Sequence, residues 1–271
     1  QRAFNENTFP NVAWNNFGQA HTQLIRARRA LLAFTPAGAA RATQVGQLHA
    51  LSGMGLTMAG ELFCNGVPLS NGDDDAPVFT IVTNADLHRR AVAQFDSALA
   101  TLGTGAGDQP LRHLARVGRA RAQVNLGQFA AAAATVGAGG DGAGSAAVPT
   151  GFVANAEYSA TTLVNTIFDW MVNTANFGPS DLEGRNGLPF ISARDPRVVV
   201  STQSRLGQDG STRVFTVQGY PTGGAPTRLA TGVEARLIEA EAALQARDAG
   251  QFLAKLNEAR ADAGARTAWG I

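Results

Sequence analysis

The chain has 271 residues, 45% of them hydrophobic, and its 22 basic and 21 acidic side chains leave a formal net charge of +1. That length supports one large domain or two small ones, and the hydrophobic share excludes wholesale disorder. The charge balance gives no electrostatic reason to expect nucleic acid or an anionic membrane as partner. Apart from Lys255 every basic side chain is Arg, and Ala and Gly are abundant, which reads as GC-rich coding bias. Cys64 is the only cysteine, so no intramolecular disulfide and no cysteine-based metal cluster can form. Its place in Leu62-Phe63-Cys64 predicts a buried structural thiol. No run of about twenty apolar residues is present to span a membrane as a helix.

Residues 1–13 contain Asn and Pro and read as an irregular lead-in. From Trp14, apolar residues recur every three or four positions through Phe17, His21, Leu24, Ile25, Leu31 and Leu32, the pattern of an amphipathic helix. A second helix is expected from Gly38 towards Cys64, with Asn65-Gly66 as its stop. Residues 68–77 read as a loop. Thr83, with Asp86 three residues on, reads as the cap of a third helix carrying Leu87, Ala91, Phe95 and Leu99. Pro110 suits the first turn of a fourth. Gly127 breaks that helix, and Phe129 to Val136 starts another.

The region 137–233 is different, rich in Gly, Pro, Thr and Asn. One helix is expected at Ser159–Thr174, with Leu163, Ile167, Trp170, Met171 and Thr174 on one core-facing side. Two β-type runs, Val198–Thr202 and Arg213–Gln218, flank Gly207-Gln208-Asp209-Gly210 and predict a hairpin. Helix, turn and helix return at 234–263, where Ala240 and Ala259 predict a close approach of the last two helices. The fold class is therefore mostly α: tetratricopeptide-like helical pairs at 14–136 and 234–263 in a single domain 1–271, with an irregular insertion at 137–233 containing a short β-hairpin.

No catalytic residues are singled out. The four histidines fall on different helices, and neither His-Glu-x-x-His nor Gly-x-Ser-x-Gly occurs. Gly137-Ala138-Gly139-Gly140-Asp141-Gly142 fits Gly-x-Gly-x-x-Gly but follows a helix, so a loop is the better reading. Asp73-Asp74-Asp75 lacks the spacing of a calcium loop. No metal and no cofactor is expected.

Four stretches resemble the SusD/RagB-like family: Leu62-Phe63-Cys64-Asn65-Gly66-Val67-Pro68-Leu69, the helix from Asn84 to Leu102, Asp195-Pro196-Arg197, and Arg236 through Gly264 with Ala-Glu-Ala followed by Leu-Asn-x-x-Arg. The resemblance implies a lipoprotein of the bacterial outer membrane, facing the cell surface or outside. It would capture an oligosaccharide or peptide and pass it to a TonB-dependent, SusC-like transporter, without being an enzyme. It also implies that a glycan site can draw on the loop ahead of the first helix. Aromatic faces for stacking beside Asn or Arg for directed hydrogen bonds mark two candidate places. Asn11, Trp14 and Asn15 stand where the lead-in meets the first helix; Phe177, Arg185, Asn186 and Tyr220 stand in the insertion. The default reading of Trp14 is nevertheless a cap on the helical core. The alternative for the whole chain is a tetratricopeptide-type scaffold in an extracellular assembly, which would need a large exposed apolar patch.

Overall fold

The computed structural model describes residues 8–73, 76–182, 187–195, 199–201 and 204–261. Among the described residues helices take up 54% and the strands are short antiparallel pairs, so the fold is mostly α. The chain forms two compact units, one from residues 1–152 with 230–256 and one from 153–229 with 257–271.

The first unit opens on α1 (Thr8–Phe34) and α2 (Ala39–Leu62). A hairpin follows, β1 (Val67–Ser70) paired with β2 (Phe79–Val82), Val67 opposite Val82 and Ser70 opposite Phe79. Then come α3 (Asn84–Thr101), α4 (Gln109–Asn125) and α5 (Phe129–Val136). Thr83 caps α3 as expected: its hydroxyl accepts from the Asp86 amide while the Asp86 carboxylate accepts from the Thr83 amide. Asn84 also closes the end of α2, its side-chain amide donating to the Gly60 carbonyl at 2.5 Å and the Phe63 carbonyl at 2.8 Å. Gly127, at φ +73°, makes the left-handed turn between α4 and α5 that a side chain would strain.

The packing of α2 on α3 has a simple basis in sequence. Gly46, Gly53 and Gly60 recur every seventh residue on α2, and Leu102, Phe95 and His88 recur every seventh on α3. Each glycine meets one large side chain. A Cβ at Gly46 would lie 2.5 Å from Leu102 Cγ, and at Gly53 or Gly60 it would lie 2.7 Å from the Phe95 or His88 ring. Phe95 is fully buried, and its other neighbour is Gly118 on α4, where a Cβ would fall 2.3 Å from the ring. Small residues thus let three helix backbones close around one aromatic ring.

Two arginines on α4 fill the same core. Arg112 pairs with Asp141 at 2.8 Å with both side chains buried, and it donates to the Leu99 and Leu102 carbonyls at the end of α3. Arg116, fully buried, donates to the Thr135, Val136 and Gly137 carbonyls at the end of α5 and to Ser145 Oγ and the Ala146 carbonyl. Burial works against ionisation of Asp141, but hydrogen bonds from Arg112, the Ala143 amide and Ser145, with the Arg112 charge, hold it well below the usual carboxylate range. The glycine-rich segment after α5 is therefore a loop, as expected, and its Asp neutralises a buried arginine.

In the second unit β3 (Val153–Ala156) leads to a short helix α6 (Thr166–Phe168) continued by a π turn at Asp169–Asn173. The helix expected at Ser159–Thr174 is thus shortened at its start. Asn165, buried, accepts from the Ile167 amide at 2.8 Å and donates to the Ala225 carbonyl at 2.7 Å, so it caps the helix where it stands. Leu163 falls before the cap and is exposed, Ile167 and Trp170 are half-buried and Thr174 is exposed, so of the expected core-facing stripe only Met171 is fully in the core. The hairpin is present as β4 (Arg205–Leu206) against β5 (Arg213–Val214), extended by a bridge between Val200 and Val217. Val198 and Thr202 of the expected run lie outside the described residues. Next comes β6 (Thr227–Thr231), which pairs with β3. The helices α7 (Gly232–Gln245) and α8 (Ala249–Ala261) complete the chain order. Thr231 caps α7, and Lys255 Nζ lies 3.4 Å from Glu239 Oε2, joining the two helices. Ala240 and Ala259 are both buried.

Three local readings are corrected. The expected loop at 68–77 begins as strand, because Pro68 sits in a two-stranded ribbon whose free edge needs no donor from it. Cys64 is exposed, because the chain is already extended at Phe63 and Leu62 itself is 71% accessible. The lead-in is shorter than expected, because Pro10 fits the first turn of α1, where its missing N–H is no loss.

Candidate functional site

A groove of about 460 Å³ runs along the first unit between α1 and the β1–β2 hairpin. Helix α1 contributes Trp14, Asn15, Phe17, His21 and Arg26 to its wall, and the hairpin contributes Pro68, Ser70, Pro77 and Phe79. Trp14 sits half-buried in an aromatic cluster. Its ring lies 5.5 Å from Phe17, and 5.5 Å from Phe63 in an edge-on contact at 85°. Phe17 in turn stacks on His21 at 5.9 Å. Opposite them Phe79 is 64% exposed, so a large aromatic face is presented to solvent in the groove. Phe79 was not singled out in the sequence; its signal is its place in Val78-Phe79-Thr80-Ile81, where every apolar side chain proves exposed.

His21 Nε2 donates to the Ser70 carbonyl at 3.2 Å, which fixes the tautomer and ties α1 to the hairpin. Burial pushes the His21 pKa down from its ordinary value; the Ser70 hydrogen bond pulls it up, and the charges of Arg28 and Arg90 push it down further. The ring is a neutral hydrogen-bonding wall at pH 7. Arg29 donates to the Gly72 carbonyl at 2.8 Å, so the loop behind the groove is held from the same helix.

Of the residues expected to form a site, Trp14 and Asn15 line this groove. They do so from within α1, whose backbone also includes Asn11, so the expectation of a loop site ahead of the first helix is corrected. The remaining candidates belong to the second unit. Phe177 is exposed, with its ring 6.4 Å from Trp170 in an edge-on contact, and Tyr220 is half-buried. Arg185 and Asn186 lie outside the described residues. Among the described residues no group of three or more His, Cys, Asp or Glu is placed to hold a metal ion, and no helix is long and apolar enough to cross a membrane. An open groove with aromatic faces, amides and hydroxyls can hold a polar, ring-containing ligand by stacking and directed hydrogen bonds. No family model matches the chain, and no curated protein matches it in sequence.

Proposed function

We propose that the protein is a binding protein that captures an oligosaccharide or peptide in the α1–hairpin groove. The observation that carries this reading is the half-buried Trp14 ring, fixed by Phe17 and Phe63, lining an open groove with the exposed Phe79. A rigid aromatic platform with amide and hydroxyl neighbours suits a sugar ring, whose polar edge and apolar face need both. The resemblance of Leu62–Leu69 and Arg236–Gly264 to the SusD/RagB-like family supports the further reading of delivery to a TonB-dependent outer-membrane transporter. The role is binding, not catalysis.

The test is retention on an immobilised panel of oligosaccharides and peptides. Trp14→Ala is expected to weaken the best interaction at least about tenfold, which corresponds to about 1.4 kcal/mol, with helical circular dichroism unchanged. Tyr220→Ala, made separately, reports whether the second unit contributes. Loss of helicity in Trp14→Ala would mean that the ring serves the core alone.

The scaffold reading has one observation in its favour. Phe79 and Ile81, two apart and so on one face of β2, are each more than half exposed and form an apolar strip that a protein partner could cover. Sedimentation separates the two: a scaffold self-associates through that strip and Ile81→Lys abolishes the association, whereas a capture protein stays monomeric and binds its ligand.

A further inference from the structure

We propose that a recess adjoining the groove is an anion subsite, so that the captured ligand is an acidic oligosaccharide, one of whose carboxylates enters it. This inference rests on the reading of the groove as a sugar site. The recess, of about 240 Å³, adjoins the groove across His21, Leu69 and Ser70, which line both.

Its walls supply hydrogen-bond donors and positive charge. Arg28 from α1 and Arg90 from α3 both line it, and no carboxylate does among the described residues. Arg28 Nη1 donates to Gln94 Oε1 at 3.2 Å, and His49 Nδ1 lies 2.8 Å from the same oxygen. The Gln94 carbonyl is thereby held by two neighbours, which leaves its amide nitrogen to face a ligand. Ser52 lines the same recess; it is 4% exposed, and its hydroxyl has no hydrogen-bond partner. Two arginines, an amide donor and an unspent hydroxyl around one polar recess are complementary to a carboxylate or sulfate group, for which charge-assisted hydrogen bonds are the strong ones.

The sugar assignment comes from the joint between the two cavities. Arg28 stands eleven residues, about 16 Å, along α1 from Phe17, so a ring on the Trp14 and Phe17 faces needs further sugar units to bring a carboxylate to the recess, whereas a free inorganic anion uses the recess alone and an acidic peptide has no need of the aromatic wall. The test compares, by calorimetry on the full chain at low ionic strength, a trisaccharide of uronic acid, its neutral hexose counterpart, and triglutamate. The uronate is expected to bind about tenfold more tightly than either. Arg90→Gln, at an exposed side chain, and Arg28→Gln should each reduce that preference. Added salt should do the same. A separate arm uses sodium sulfate against chloride at matched ionic strength. Sulfate should raise the unfolding temperature of the wild type more than that of the Arg28→Gln, Arg90→Gln double variant.

Equal affinity for uronate and neutral sugar, with no extra sulfate effect in the wild type, would overturn the subsite and leave the groove reading standing. A sulfate effect without binding of any sugar would support the recess as an anion site and overturn the sugar assignment. Triglutamate binding as tightly as uronate would overturn the sugar assignment as well.

Discussion

Arg112 and Arg116 stand four residues apart on one face of α4 and reach polar groups that an apolar pair could not. Between them they answer carbonyls at the ends of α3 and α5 that no helix can answer for itself. Removing one partner of a buried pair strands the other charge. Arg112→Met is therefore expected to destabilise the chain by about 3–5 kcal/mol in urea unfolding, and Asp141→Asn added to it should restore part of the loss. Additive losses would mean that Asp141 is solvated. The histidines give a second expectation. Burial is the largest influence on His21, His49, His88 and His113, and it lowers the pKa of each below the ordinary 6.5. The unfolded chain thus takes up more protons than the folded one as pH falls through about 6.5, so stability decreases there. Asp141, Asp86 and Asp181, whose pKa values are also lowered, add a loss of the same sign at more acid pH. The urea midpoint should fall measurably between about pH 7.5 and 5.5; a flat profile would show the four rings to be well hydrated.

At the scale of elements, the contact of α2 with α3 depends on glycine where helix propensity argues for alanine. Gly53→Ala gains about 1 kcal/mol of propensity, yet drives a methyl into the Phe95 ring at 2.7 Å, with Gly118 and Met54 behind it. Overpacking wins, and a net loss of about 1–3 kcal/mol is expected by thermal or urea unfolding; a more stable variant would show that the helices can part. The long amphipathic helices and the Thr83 cap were legible in the sequence because each rests on residues within a turn of one another. The heptad of Gly46, Gly53 and Gly60 was also on the page, but its meaning depends on Leu102, Phe95 and His88 some thirty to sixty positions away. The β1–β2 hairpin was hidden by Pro68, which reads as a loop until its partner strand is known. The groove was half legible. Trp14 and Asn15 were found by their aromatic-amide pattern, while Arg28, Arg90 and Gln94 carry no local signal, and they and Phe79 are brought together only because α1, β2 and α3 fold together.

For the whole molecule, the helical unit is built from two distant stretches of chain, and the structure shows what stitches them. The Gly232 amide donates to the Phe152 carbonyl at 2.7 Å, Arg236 reaches the Val148 carbonyl at 3.2 Å, and Arg121 grips Glu234 with two hydrogen bonds of 2.5 and 2.7 Å. The points where the chain leaves and re-enters this unit are therefore neighbours, and little closure entropy is needed to join them directly. A chain in which a short Gly-Ser link replaces residues 153–229 is expected to unfold cooperatively in urea and to keep its helical circular dichroism. The groove and the recess are lined by residues of this unit only. The shortened chain should then bind the sugar selected by the full chain within about twofold, less than 0.5 kcal/mol, if Trp14 and its neighbours carry recognition. A folded product that has lost affinity would move the site towards Phe177 and Tyr220. An aggregating or non-cooperative product would show instead that residues 153–229 are needed for the helices to fold, and that the two stretches are not held by their own contacts.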